Sequence, residues 1–135
     1  MADKINIDKI LKQAKTIAVV GLSADHSKPS HMVAAYMQSN GYRIVPVNPK
    51  YSVILNEHCY ASLLAIPSTI SVDIVNIFRR PDAVAPIVED AIRIKAKGIW
   101  MQEGIVNPAA AQRAIQAGLW VVMDRCLYRD HSRYV

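Results

Sequence analysis

The chain has 135 residues, 52% of them hydrophobic and 20% charged, with 16 Lys and Arg against 11 Asp and Glu for a net charge of +5. This length fits one domain, residues 1–135, with a sizeable core, and the composition excludes a disordered chain. No apolar run approaches the ~18 residues that a membrane span requires, and the opening stretch MADKINIDKILKQAK lacks the apolar segment of a signal peptide, so a cytoplasmic protein is expected. Cys59 and Cys126 fit no disulfide framework and no zinc spacing, and free thiols are expected.

Apolar runs rich in Val and Ile alternate with helical patterns along the chain. The first fifteen residues carry Ile5, Ile7, Ile10 and Leu11, a leading amphipathic helix. Thr16 to Val20, closed by Gly21, reads as a strand buried on both faces. Ser30 to Gln38 is helical and stops at Asn40-Gly41. Tyr42 to Val47 is the second strand, where Pro46 suggests an irregular end, and Ala61 to Ile66 is a short helix. Val72 to Phe78 is the third strand, followed by a helix from Asp82 to Ala96 with Pro86 near an irregularity. Gly98 to Gln102 is the fourth strand. Asn107-Pro108 opens an alanine-rich helix that ends at Gly118, and Leu119 to Met123 is the fifth strand.

This alternation predicts an α/β fold: a Rossmann-like, doubly wound, five-stranded parallel sheet with helices on both faces. The expected strand order is 3-2-1-4-5, with the flavodoxin-like order 2-1-3-4-5 as the rival. Ligands of such sheets bind beyond the carboxyl ends of the strands, where the order reverses. The loop Gly21-Leu22-Ser23 through Lys28-Pro29-Ser30 offers backbone N–H groups, hydroxyls and a cation to a phosphate, although Gly21 and Ser30 would equally serve a tight turn and a helix cap.

The excess of cations is scattered, with no Lys/Arg block or aromatic-interleaved string, so a small phosphorylated ligand fits it better than nucleic acid. The first loop is not the dinucleotide fingerprint G-x-G-x-x-G, since Gly21 stands alone, and no acid lies between Asp25 and Glu57 to hold an NAD ribose. Asn48-Pro49-Lys50 occupies that place, an amide and a cation where NAD wants a carboxylate, which leaves NADP, coenzyme A or a related phosphorylated nucleotide.

The stretches IAVVGLS…KPS, VPVNPKY, VDIVNIFRRP, WMQEGIVN and VVMDRC, over about residues 8–132, resemble in order and spacing the small stand-alone CoA-binding proteins. The domain of those proteins is similar to the N-terminal CoA-binding domain of the succinyl-CoA synthetase alpha subunit. The resemblance implies that Gly21, Leu22 and Ser23 with Lys28, Pro29 and Ser30 hold CoA phosphates, and that Pro49 and Lys50 flank the nucleotide. It also implies that Phe78 and Arg79 border the ligand and that Met101, Gln102 and Glu103 line the CoA channel. The first loop is less glycine-rich than in the ligases, and no counterpart of their phosphohistidine loop is expected.

His26, His31, His58 and His131 show no metal-ligand spacing, and Glu103 with Asp124 has no nucleophile or oxyanion donor specified beside it. The expected function is therefore a non-catalytic CoA-binding protein with a carrier, sensor or regulatory role, and a protein partner or homo-oligomer is compatible with it. The alternatives are an enzyme using CoA, acyl-CoA or NADP with chemistry the residues do not reveal, and an interaction domain that has lost its ligand.

Overall fold

A computed structural model describes residues 5–135. A parallel sheet of five strands forms the centre: β1 (Thr16–Val20), β2 (Arg43–Val47), β5 (Ile74–Ile77), β6 (Gly98–Met101) and β7 (Trp120–Val122). A two-stranded antiparallel hairpin, β3 (Val53–Ile54) and β4 (Glu57–His58), lies between β2 and β5 in sequence. The helices are α1 (Ile7–Gln13), α2 (Pro29–Ser39), α3 (Val84–Arg93), α4 (Pro108–Gln116) and α5 (Leu127–Tyr134).

Every residue of β1, β5 and β6 is buried, which explains their predominantly apolar sequences: helices cover both faces. Ile17, Val19, Ile44, Ile74, Trp100 and Val122 pack with Leu11 of α1, Met37 of α2 and Leu127 of α5. On the opposite face Ala18, Val20, Val75, Ile77, Ile99 and Met101 pack with Val84 and Val88 of α3 and the small face Ala110, Ala111 and Ala114 of α4.

The sheet order is β2-β1-β5-β6-β7, which counted over the five strands is 2-1-3-4-5, so the expected 3-2-1-4-5 is corrected to its rival. The reason lies in residues 48–73. A further strand is begun beside β2 but stops at one residue, Tyr60, which forms a parallel bridge with Val47: its N–H donates to Pro46 O at 3.0 Å and its carbonyl accepts from Asn48 N–H at 2.9 Å. The chain then passes through a 3-10 turn, Leu63–Ala65, to the far side of β1. The order reverses between β1 and β5.

Pro46 does not disturb β2, which keeps its register with β1 throughout. Its carbonyl faces Tyr60, on the side away from β1, so the missing N–H faces outward too and no ladder bond is lost. The helix after the third strand is shorter than expected, a 3-10 turn Pro81–Ala83 leading into α3, and Lys95 at φ 61° ends it before Ala96. Pro86 sits in the first turn of α3, where the N–H has no intrahelical partner in any case. The hairpin β3–β4 and helix α5 have no counterpart in the sequence expectations.

Candidate functional site

Gly21 ends β1 with φ +88°, a region that only glycine adopts without strain, and its N–H donates to Val47 O at 2.8 Å. A Cβ on Gly21 would stand 2.6 Å from Phe78 O and 3.3 Å from Arg79 Nε. The chain thus crosses the reversal point of the sheet with its backbone pressed against the start of the β5–α3 loop.

Beyond Gly21 the loop is anchored from within. Leu22 is fully buried and its carbonyl accepts from Asn48 Nδ2 at 3.0 Å, while Asn48 Oδ1 accepts from Lys50 N–H at 3.0 Å. Asn48 therefore ties the end of β2 to the first loop. Ser30 Oγ accepts from Ser23 N–H, Ser23 Oγ accepts from Asp25 N–H, each at 3.0 Å, and His31 Nδ1 lies 2.8 Å from Ser23 O. The N–H and hydroxyl of Ser27 hold the Asp25 carboxyl below the ordinary carboxylate range. Lys28 and Lys50 are exposed, Arg79 is half-buried, and none of the three side chains pairs with a carboxylate among the described residues.

Two clefts open at this edge, one over each face of the sheet. The larger, about 390 Å³, runs between α2 and α5 and is lined by Pro29, Met32, Tyr36, Gln102, Cys126 and Tyr128. The smaller, about 240 Å³, lies between β2, the 3-10 turn and α3, with Pro49, Ser62, Leu63, Arg79 and Ile87 in its wall. Pro29, Gln102 and Glu103 thus meet at one cleft and Pro49 and Arg79 at the other. Phe78 is half-buried and packs into the core beneath α2 and α5. Met101 is fully buried under the opposite face, and Glu103 forms an ion pair with Arg129 at 2.8 Å.

The sequence reading passed over Asn76, a polar residue at 0% exposure in the middle of β5. Its Nδ2 donates to Trp100 O and to Gln102 Oε1, each at 3.3 Å, and Gln102 Oε1 also accepts from Leu127 N–H at 3.3 Å. The only signal was one amide inside the run Ile74–Ile77. Asp124, the other carboxylate of the candidate acid–base pair, accepts from Gly104 N–H at 2.7 Å. No group of three or more His, Cys, Asp or Glu side chains among the described residues is arranged to hold a metal, and no described helix is long and apolar enough to cross a membrane.

A doubly wound α/β domain with a glycine at its reversal point, and a cleft on either side of it, has the form of a site for an extended ligand with an anionic middle. The chain belongs to the CoA binding domain family, whose pattern it matches over residues 15–132. It is 40% identical to the uncharacterized protein YneT of Bacillus subtilis over 129 residues, which is 96% of this chain and 94% of that one. A solved structure from Thermus thermophilus, cell-free ID.343, superposes with a TM-score of 0.91 at 37% identity and covers 97% of this chain and 100% of its own. An 83-residue stretch is 31% identical to the ADP-forming acetate–CoA ligase II of Archaeoglobus fulgidus, covering 58% of this chain and 12% of the ligase.

Proposed function

We propose that this chain binds coenzyme A across the reversal point of its sheet and does not transform it, serving as a carrier, sensor or regulatory partner. The nucleotide end lies in the smaller cleft by Pro49 and Arg79, the diphosphate at Gly21 and the head of α2, and the pantetheine arm in the larger cleft past Gln102. The observation that carries this reading is Gly21, whose left-handed turn brings the first loop against the Phe78–Arg79 backbone, with Lys28, Lys50 and Arg79 unpaired among the described residues at the same edge. An anion supplies the partner that these cations lack within the chain. A binding role without catalysis is supported by the two carboxylates, since Glu103 is committed to Arg129 and Asp124 to Gly104.

Calorimetry with CoA, NADP and NAD tests the reading, together with mass spectrometry of ligand released from freshly purified protein. CoA is expected to bind more tightly than NAD, because no carboxylate stands at the end of β2 to receive an unmodified ribose. Tighter binding of NAD than of CoA would overturn the reading.

A further inference from the structure

The fold treats its two thiols differently. Cys59 is 5% exposed, its Sγ donates to Asn48 O at 3.4 Å, and burial pushes its thiol above the ordinary range. Cys126 precedes α5 and lines the larger cleft, with Met32, Val33, Tyr36 and Tyr128 as the apolar walls around it.

A second feature of this cleft points to a ligand independently of the cysteine. Gln102 is only 6% exposed, yet it lines the cleft. Asn76 and the first N–H of α5 both occupy its Oε1, and its Nε2 makes no hydrogen bond among the described residues. Asn76 is fixed in turn, with its own Oδ1 buried and unpartnered. A ligand carbonyl in the cleft would give Gln102 Nε2 the acceptor it lacks within the described residues. The pantetheine arm of CoA carries two amide carbonyls before its terminal thiol.

We propose that Cys126 is a thiol-capture site that exchanges with the disulfide of CoA and holds the coenzyme as a Cys126 mixed disulfide. This rests on the CoA reading above. The Cys126 thiolate attacks one sulfur of CoA disulfide, the bond between Cys126 Sγ and that sulfur forms as the original S–S bond breaks, and the departing CoA thiolate takes up the proton that Cys126 released. One disulfide is consumed and one is formed, with no net oxidation. The neighbouring Arg125 guanidinium is engaged by Asp130 through two bonds of 2.7 and 2.8 Å. Selectivity comes from placement, since a ligand held in the cleft presents its disulfide at an effective concentration on the order of millimolar.

The test incubates the full chain with CoA disulfide and reads intact mass, with peptide mapping of the product. The expected product carries one CoA on Cys126, is undiminished in Cys59→Ser and is absent from Cys126→Ser. Glutathione disulfide at equal concentration, or an excess of a CoA analogue lacking the sulfur, is expected to give rates lower by about tenfold or more. The proposal is overturned by no adduct, by an adduct on Cys59, by equal rates with glutathione disulfide, or by no protection from the analogue. Calorimetry with reduced CoA on wild type and Cys126→Ser separates the two claims. If both chains bind CoA and the wild type gains no adduct, capture fails and CoA binding stands; if neither binds CoA, both fail together.

Discussion

At the amino edge of the sheet, Asp73 accepts the N–H groups of Lys15 and Thr16 at 2.8 and 3.0 Å and pairs with Lys97 at 3.0 Å, while the Trp120 ring lies flat against Gly98. At the carboxyl edge, the exposed Lys28 and Lys50 and the half-buried Arg79 have no carboxylate partner among the described residues, and two clefts open. Both edges bring strand ends, loop polar groups and charges together. The amino edge also carries a cleft, of about 310 Å³, and Lys15 and Arg43 without carboxylate partners among the described residues. What differs is that Asp73 clamps the strand ends there, whereas the carboxyl edge gathers its loops around the turn at Gly21.

The sharpest way to break this comparison is to place a methyl group at the glycine of each edge. Gly21→Ala combines backbone strain at φ +88° with a 2.6 Å clash on Phe78 O, so a loss of about 2–5 kcal/mol of stability and of measurable CoA binding is expected. Gly98→Ala drives a Cβ to 2.0 Å from the Trp120 ring and is expected to cost about 1–3 kcal/mol of stability while leaving CoA affinity unchanged. Urea unfolding and calorimetry on the two variants decide the matter. Equal losses of CoA affinity would erase the distinction between the edges.

Cations come next in size. Lys28→Ala and Lys50→Ala are each expected to weaken CoA binding by about 1.5–3 kcal/mol, the value of a hydrogen bond to a charged group, with stability changed by less than about 0.5 kcal/mol. Unchanged affinity at low salt would return both lysines to the solvated surface. Asp73→Ala should do the reverse at the opposite edge. It strips two backbone donors and Lys97 of their acceptor, for about 1–3 kcal/mol of stability at unchanged CoA affinity, read from the urea midpoint and from calorimetry.

The same contrast governs how much of the molecule was legible in its sequence. Gly21 after a continuous apolar run, and Asn107-Pro108, whose amide accepts from Ala110 N–H at 3.0 Å, are local signals that name both an element and its end. The strand order was not local: it turned on whether residues 48–73 supplied a full strand beside β2, and only the bridge at Tyr60 was formed. Helix α5 escaped because its sequence LYRDHSRY buries Asp130 and His131 along with Leu127, a polar inner face that apolar periodicity does not register. The hairpin turn uses Leu55 at φ 55° beside Asn56 at φ 62°, where the expected signal is glycine. At the site, loop residues were recognisable by their type, whereas the Asn76–Gln102 link required knowing that β5 and β6 are neighbours.

Helix α5 joins the two edges, beginning beside Cys126 at the larger cleft and carrying His131 back towards α1, and this gives the comparison its mildest test. His131 is 5% exposed, its Nδ1 lies 2.8 Å from the Tyr36 hydroxyl, and the rings of Tyr36 and Tyr42 stand edge-on to it at 5.3 and 5.5 Å. Lys12 and Lys15 line the same surface hollow, and neither favours a protonated imidazole. Burial holds its pKa below the ordinary value, so the folded chain prefers the neutral ring. The unfolded chain takes up that proton near pH 6.5, and stability is therefore lost as the pH falls below about 6.5 towards the folded value. Asp73 acts later: burial alone would raise its pKa, but the N–H groups of Lys15 and Thr16 together with Lys97 hold it low, so its contribution is present above the ordinary carboxylate range and fades as the pH falls through its folded value. Urea midpoints measured from pH 7 to pH 3 should then show two separate descents. His131→Gln should flatten the first and keep the second, and Asp73→Asn should keep the first and shrink the second without abolishing it, since Asp25 and Glu89 are also held below the ordinary carboxylate range. A first descent of unchanged size in His131→Gln would mean that another group titrates there and that α5 is not the acid-sensitive link between the edges.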